Sequence, residues 1–215
     1  MQNLTGRQVI TAVFFAIFLS LMFAAQAIAE DLRPPQQVIQ SVSSQLQQKM
    51  KDKSFTRDFT QVVRFVNGII DPHTDFDRIA PLVLGKHWKT ATAAEQQRFK
   101  DEFQTLLVRT YSRAFVEYTD WSMRFRPLDM PNEATRIMVR TDVLQPGRQA
   151  VEVNYRMFLS KGEWKVYDIM IDGVSLVTNY RSTFNDEIQK KGSLSIVIDD
   201  LAKRNAEALS GKNSS

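Results

Sequence analysis

Residues 134–171 constrain the fold more tightly than any other stretch. Across residues 150–160, Val151, Val153, Tyr155, Met157 and Leu159 alternate with Glu152, Asn154 and Arg156. A period of two sends the two sets to opposite faces of an extended strand. Lys161-Gly162 then forms a tight turn, and residues 163–171 read as a further strand. On the other side, the turn Gln145-Pro146-Gly147 leads back to residues 134–144, where Ile137, Val139 and Val143 oppose Arg140 and Asp142. Residues 121–126 also alternate, set off by a loop bracketed by Pro127 and Pro131. Connections this short return each strand beside its predecessor, so the four strands form an antiparallel meander. Such a sheet has one wet face and one dry face.

The dry face needs cover, and the rest of the chain reads as helices. Pro34-Pro35 suits a helix start, after which Val38, Val42, Leu46 and Met50 recur every four residues. The opposite face is Gln and Ser and is expected to meet water. Residues 55–70 carry Phe59, Val62, Val63, Val66 and Ile70 as one amphipathic helix ended by Asp71-Pro72. Asp75 can cap a short helix that Gly85 stops. Thr92 and Glu95 form a capping box for the longest helix. That helix has one stripe of Phe99, Phe103, Leu106, Leu107, Thr110 and Ala114 and a second of Val108, Tyr111, Phe115 and Tyr118. Two stripes require cover from two directions, by core or by a ligand cavity. After the sheet, Val177, Tyr180, Phe184 and Ile188 mark a helix closed by Gly192, and Leu194, Val197, Ile198, Leu201 and Leu209 mark a last one. Helices, strands, then helices is an α+β order: a four-stranded antiparallel sheet with several helices packed on it.

The two ends stand outside this scheme. Arg7, an apolar run from Val9 to Ala25 and the small-residue pattern Ala27-Ile28-Ala29 give residues 1–29 the layout of a signal peptide. Ala25-Gln26-Ala27 is a second candidate cleavage site, and an uncleaved membrane anchor is the alternative. Residues 30–210 then form one domain and residues 211–215 a loose polar tail. The chain has no cysteine, which removes disulfides, thiolate metal sites and a lipoprotein anchor. Its net charge of +4 is spread in alternating signs, which argues against nucleic acid as a partner.

Catalytic equipment is sparse. Gly173-Val174-Ser175-Leu176-Val177 begins like a nucleophile turn, but Val177 replaces the second glycine. Ser175 reads better as a helix cap. Asp71, His73, Asp75 and Asp77 alternate like a calcium loop, yet Phe76 and Leu82 stand where its glycine and glutamate belong. The only histidines are His73 and His87, and no phosphate cradle or dinucleotide fingerprint occurs. No catalytic residue, metal site or cofactor is assigned, and the balance moves toward binding.

Three stretches carry a family resemblance: FDRIAPLVLGKHWKTATAAEQQRFKDEFQTLLVRTYSRAFVEYT at 76–119, EWKVYDIMIDGVSLVTNYRSTF at 163–184 and KKGSLSIVIDDLAKRN at 190–205. The Leu-Gly-x-x-Trp segment, the Trp-x-Val-Tyr-Asp strand running into Gly-Val-Ser, and the terminal helix resemble the MlaC-like, toluene-tolerance family. Its members are periplasmic phospholipid shuttles of the Mla lipid-transport system of Gram-negative bacteria. The resemblance implies a non-enzymatic, monomeric carrier that holds phospholipid acyl chains as cargo in an apolar cavity between sheet and helices. It implies transfer between an outer-membrane lipoprotein–porin complex and an inner-membrane ABC transporter bearing MCE domains, which maintains outer-membrane lipid asymmetry. Candidate lipid contacts are Leu82, Leu106, Tyr111, Phe115, Val139, Val153, Val166, Val174, Leu176, Val177 and Tyr180, with ordinary core packing the alternative for each. The competing readings are a small periplasmic enzyme using Asp168 or His87 as acid–base, and an anchored scaffold or chaperone.

Overall fold

The computed structural model describes residues 32–117 and 120–210. The signal-peptide and tail readings, and Tyr118, fall outside those residues. Helix α1 spans Pro34–Met50, with proline in its first turn, where the missing N–H costs nothing. It buries Ile39, Leu46 and Met50, but also Gln36 and Ser43, where the sequence pattern predicts a face in water. Both polar side chains are paired: Gln36 Nε2 donates to the Arg126 carbonyl at 3.1 Å, and Ser43 Oγ to the Gln40 carbonyl at 2.9 Å. Their bonding, invisible to composition, is what permits their burial.

The expected single helix over residues 55–70 is two elements. Phe55–Arg57 forms a 3-10 turn, and α2 begins afresh at Phe59–Ile70. The break is at Asp58, whose carboxylate accepts from the Gln61 N–H at 3.0 Å and so caps the new start. Another 3-10 turn, Asp71–His73, leads to α3, Phe76–Leu84. Asp75 caps α3 by accepting from the Arg78 N–H at 2.8 Å. The long helix α4, Ala93–Glu117, opens on the capping box: Thr92 N–H donates to Glu95 Oε2 at 2.9 Å, and Glu95 N–H to Thr92 Oγ1 at 3.2 Å. No helix among the described residues is long and apolar enough to cross a membrane.

The sheet consists of β1 Ser122–Phe125, β2 Arg136–Leu144, β3 Val151–Ser160, β4 Glu163–Ile171 and β5 Val174–Ser175, side by side in chain order and antiparallel throughout. Among the described residues the sheet has five strands, one more than the four read from the sequence. The fifth holds two residues, too few for alternation to register. It exists because Asp172 (φ 47°) and Gly173 (φ 82°) make a two-residue turn with both centres left-handed, the geometry that folds a chain back as a hairpin. Then α5, Leu176–Lys191, and α6, Leu194–Leu209, complete the chain.

The register of β3 against β4 jumps between Arg156↔Asp168 and Met157↔Val166. Tyr167 is the extra residue of a β-bulge. Without it, Trp164 and Val166 would face one side of the sheet and Ile169 and Ile171 the other. With it, all four turn toward the helices.

Apolar side chains gather in three clusters. Phe99, Phe103 and Phe184 centre one among α3, α4, α5 and α6. Leu46, Met50, Val62, Val66 and Val108 join α1, α2 and α4. Ile39 of α1 meets Val139, Met157, Trp164 and Val166 on the sheet. A domain of this size ordinarily has one contiguous core. Here the three clusters surround a hollow.

Candidate functional site

The hollow has a volume of about 310 Å³. Ile39, Val42, Ser43 and Leu46 of α1 line it, with Val66 and Ile70 of α2 and Phe76 and Ile79 of α3. Helix α4 supplies Phe103, Leu107 and Ala114 from one stripe and Val108, Tyr111 and Phe115 from the other. That helix therefore presents both stripes to the same space, which accounts for its wide apolar arc. The sheet contributes Met123, Val143, Val153, Tyr155, Val166, Ile169 and Ile171, with Trp121 just ahead of β1, and α5 adds Leu176 and Val177. The bulge in β4 is what allows Val166 and Ile171 to lie on one wall.

Of the residues singled out from sequence, Tyr111, Phe115, Val153, Val166, Leu176 and Val177 come together on this wall. The other five do not. Leu82, Leu106 and Tyr180 pack against the helical cluster. Val139 is fully buried beside Met157 and Trp164, beneath the wall instead of on it. Val174 sits on the terminal strand β5 and is 57% exposed. Sequence reasoning missed the contribution of α1 and α2, whose apolar stripes are indistinguishable from ordinary core, and that of Trp121, Ile169 and Ile171. Only the alternation of residues 121–126 hinted at Trp121.

The polar groups near the cavity are mostly engaged. Asp168 is buried at the bulge, and its carboxylate accepts from Ser175 Oγ at 2.7 Å, the Val177 N–H at 3.1 Å and Arg156 Nη1 at 3.3 Å. Ser175 Oγ in turn accepts from the Thr178 N–H at 3.1 Å. The Asp-Gly-Val-Ser segment is thus a hairpin turn and a doubly anchored helix start. Thr74 Oγ1 donates to the Ile70 carbonyl at 2.9 Å. Burial pushes the Tyr155 phenol up to about 12, against a lowering hydrogen bond with Thr141. Burial likewise raises Tyr111 and Tyr180, whose hydroxyls interact with each other. All three phenols are held neutral at ordinary pH.

The other sequence candidates for chemistry are scattered. Asp71 accepts from Gln104 Nε2 at 2.8 Å, Asp75 caps α3, and Asp77 pairs with Lys100 at 2.8 Å. His87 Nε2 lies 3.2 Å from Asn185 Oδ1. A second depression, about 550 Å³, lies beside Lys49, Asp52 and Arg64. It is broad and open to solvent, and its wall is as polar as it is apolar, so it is poorly suited to shelter hydrocarbon.

The family model described as MlaC protein matches residues 40–203. The toluene tolerance protein ttg2D of Pseudomonas putida is 26% identical over 200 residues, covering 91% of this chain and 89% of its own. The intermembrane phospholipid transport system binding protein MlaC of Haemophilus influenzae is 24% identical over 124 residues, 56% of this chain and 58% of its own. Among solved structures, a phospholipid-binding protein from Ralstonia solanacearum, in complex with a phospholipid, superposes with a TM-score of 0.75 at 29% identity. That match covers 82% of this chain and 99% of the other.

Proposed function

This chain belongs to the MlaC family, and from that premise we propose that it is a phospholipid carrier whose cavity shelters acyl chains while the headgroup stays near the surface. The observation that carries the reading is the hollow of about 310 Å³ among three apolar clusters. The wall of the hollow is almost wholly apolar, so water inside it finds few polar partners. Each methylene drawn into the hollow returns about 0.8 kcal/mol. Occupancy by hydrocarbon is therefore the low-energy state, and a volume in the range of small-molecule sites leaves room for it.

The carrier acts in the periplasm, loading and unloading phospholipid between an outer-membrane lipoprotein–porin complex and an inner-membrane ABC transporter bearing MCE domains, and it works as a monomer. The names of its relatives support transport as the purpose of binding. The three hydrogen bonds that occupy Asp168 support a positioning role for that carboxylate over acid–base catalysis.

The reading is tested by stripping the purified protein of lipid and offering it phospholipid vesicles. Saturable uptake, with a rise in melting temperature, is the expected result. A protein that takes up no phospholipid, or that melts identically with and without it, overturns the reading. The transfer step is tested with vesicles carrying the MCE-domain transporter: loaded carrier should deliver lipid to them faster than to bare vesicles, and equal rates would refute that partner.

A further inference from the structure

Charges that alternate in sign along the chain are sorted by depth on the outer face of the sheet, the face turned away from the cavity. We infer that this face is a docking surface for the anionic headgroups of a phospholipid bilayer, with Arg136 and Arg140 of β2 as its free cations. Such docking is distinct from the carriage of acyl chains, and the two are measured separately.

Along β2, Val139 and Val143 face the helices and the cavity, so Arg136, Met138, Arg140 and Asp142 face the other way. The register sets Arg136 opposite Phe158, Met138 opposite Arg156, Arg140 opposite Asn154 and Asp142 opposite Glu152. On the next strand Arg156 meets Asp168, with Nη1 at 3.3 Å from the carboxylate. Arg124 and Arg126 both bond Asp142, and Arg126 also pairs with Glu152 at 2.9 Å. The partners differ in depth. The side chains of Arg124, Arg126 and Arg156 are 64, 43 and 40% exposed, whereas those of Asp142 and Asp168 are 8 and 3% exposed. Carboxylates lie beneath and guanidinium groups above them, so water meets positive charge. Near the hairpin tip, Lys165 and Glu163 neutralise each other at 3.0 Å. Arg136 and Arg140 are exposed and form no ion pair with any described residue. They are the surplus of the face, placed on either side of Met138.

The occupant follows from what the face lacks and what it offers. A protein partner is ordinarily anchored by aromatic or other large side chains at the centre of the interface. The large apolar side chains that stand exposed among the described residues are Leu159, Val174 and Ile196, and none is on this face. Leu159 and Val174 pair with Trp164 and Ile171 on the cavity side, and Ile196 belongs to α6. Phe158, which the face does carry, is buried under the Arg78 guanidinium, 3.8 Å from the ring centroid. What remains is a broad pleated surface of planar cations, each with several N–H donors that match phosphate oxygens. Two surplus charges give a contact that salt screens and that releases readily, in contrast to an inserted anchor.

The test is co-sedimentation of the purified protein with vesicles of phosphatidylcholine alone or mixed with phosphatidylglycerol. Binding should be confined to the phosphatidylglycerol vesicles and should vanish in near-molar salt. Arg136→Gln and Arg140→Gln should each weaken it about fivefold, the effect of one arginine at an anionic surface. Melting should not change, because neither side chain has an ion pair to lose. Lys86→Gln combined with Lys190→Gln removes two exposed charges away from the sheet, and should cost far less than either arginine. The chain has no cysteine, so Met138→Cys gives a single site for a polarity-sensitive dye. Its emission should shift to the blue on phosphatidylglycerol vesicles. Three results would each overturn the inference: no binding to these vesicles beyond that to phosphatidylcholine, wild-type binding by the double arginine variant, or a dye at position 138 that does not respond in bound protein. None of them touches the carrier reading, which stands or falls on lipid uptake.

Discussion

Leu176 and Val139 are both apolar, yet a charge at each has a different consequence. Leu176 lines the cavity at the start of α5, half-buried, with its backbone held by the helix it opens. Leu176→Glu should give a folded protein, by circular dichroism and melting, that no longer retains lipid. Val139 has no exposed surface and sits among Ile39, Met157 and Trp164. Val139→Glu buries an unpaired carboxylate there and should cost more than about 4 kcal/mol, so that the protein is unfolded or insoluble. Val174, 57% exposed, is the control: Val174→Glu should change stability by less than about 0.5 kcal/mol and leave lipid content as it was. At this scale the sequence supplied the right residue types but not their depth. Tyr111 and Leu106 sit on adjacent stripes of one helix, and only their neighbours in space decide that one faces the hollow and the other the helical core.

Among the elements, the two edges of the sheet are held by charge. Strand β1 has four residues and is bound to β2 by Arg124 and Arg126, which donate to the Asp142 carboxylate at 2.9 and 2.6 Å through their Nη2 atoms. The hydrogen bond from Arg126, then that from Arg124, holds the Asp142 pKa below its ordinary value. A carboxyl group with a lowered folded pKa contributes stability above its unfolded value, near 3.8, and loses it as pH falls further. Hydrogen exchange should therefore show the amides of residues 122–125 losing protection below about pH 4, ahead of those in β3. The sign reverses for Tyr155, raised to about 12 by burial. Its neutral form is favoured by folding, so that stability is complete below the unfolded value near 10 and declines as pH rises from there toward 12. Alkaline melts should show Tyr155→Phe losing less stability over that interval than the wild type. At the other edge, Asp168 joins β4 to the start of α5, and Asp168→Ala should lower stability by roughly 1–3 kcal/mol through its lost hydrogen bonds. The elements were largely legible because capping residues and periodicity are local: Asp75, the Thr92–Glu95 box, Ser175 and Gly192 all act within a few residues of themselves. The bulge at Tyr167 was not, because it is settled by the register against β3; the cap at Asp58 is local but falls within one continuous apolar pattern, and β5 has too few residues for alternation to show.

For the molecule as a whole, the central claim is that its apolar residues enclose more space than they fill. Composition shows an ample supply of apolar side chains, and the double stripe of α4 shows that one helix is covered from two sides. Neither distinguishes a wall from a core, because wall and core are made of the same residue types, and the difference is a volume. Native mass spectrometry of the intact protein, purified without detergent or organic solvent, measures that difference most directly. The expected spectrum contains protein carrying a non-covalent mass that, on extraction, proves to be intact phospholipid, and that mass disappears in Leu176→Glu. A spectrum of bare protein alone, from wild-type material that has been offered phospholipid vesicles, would contradict the account.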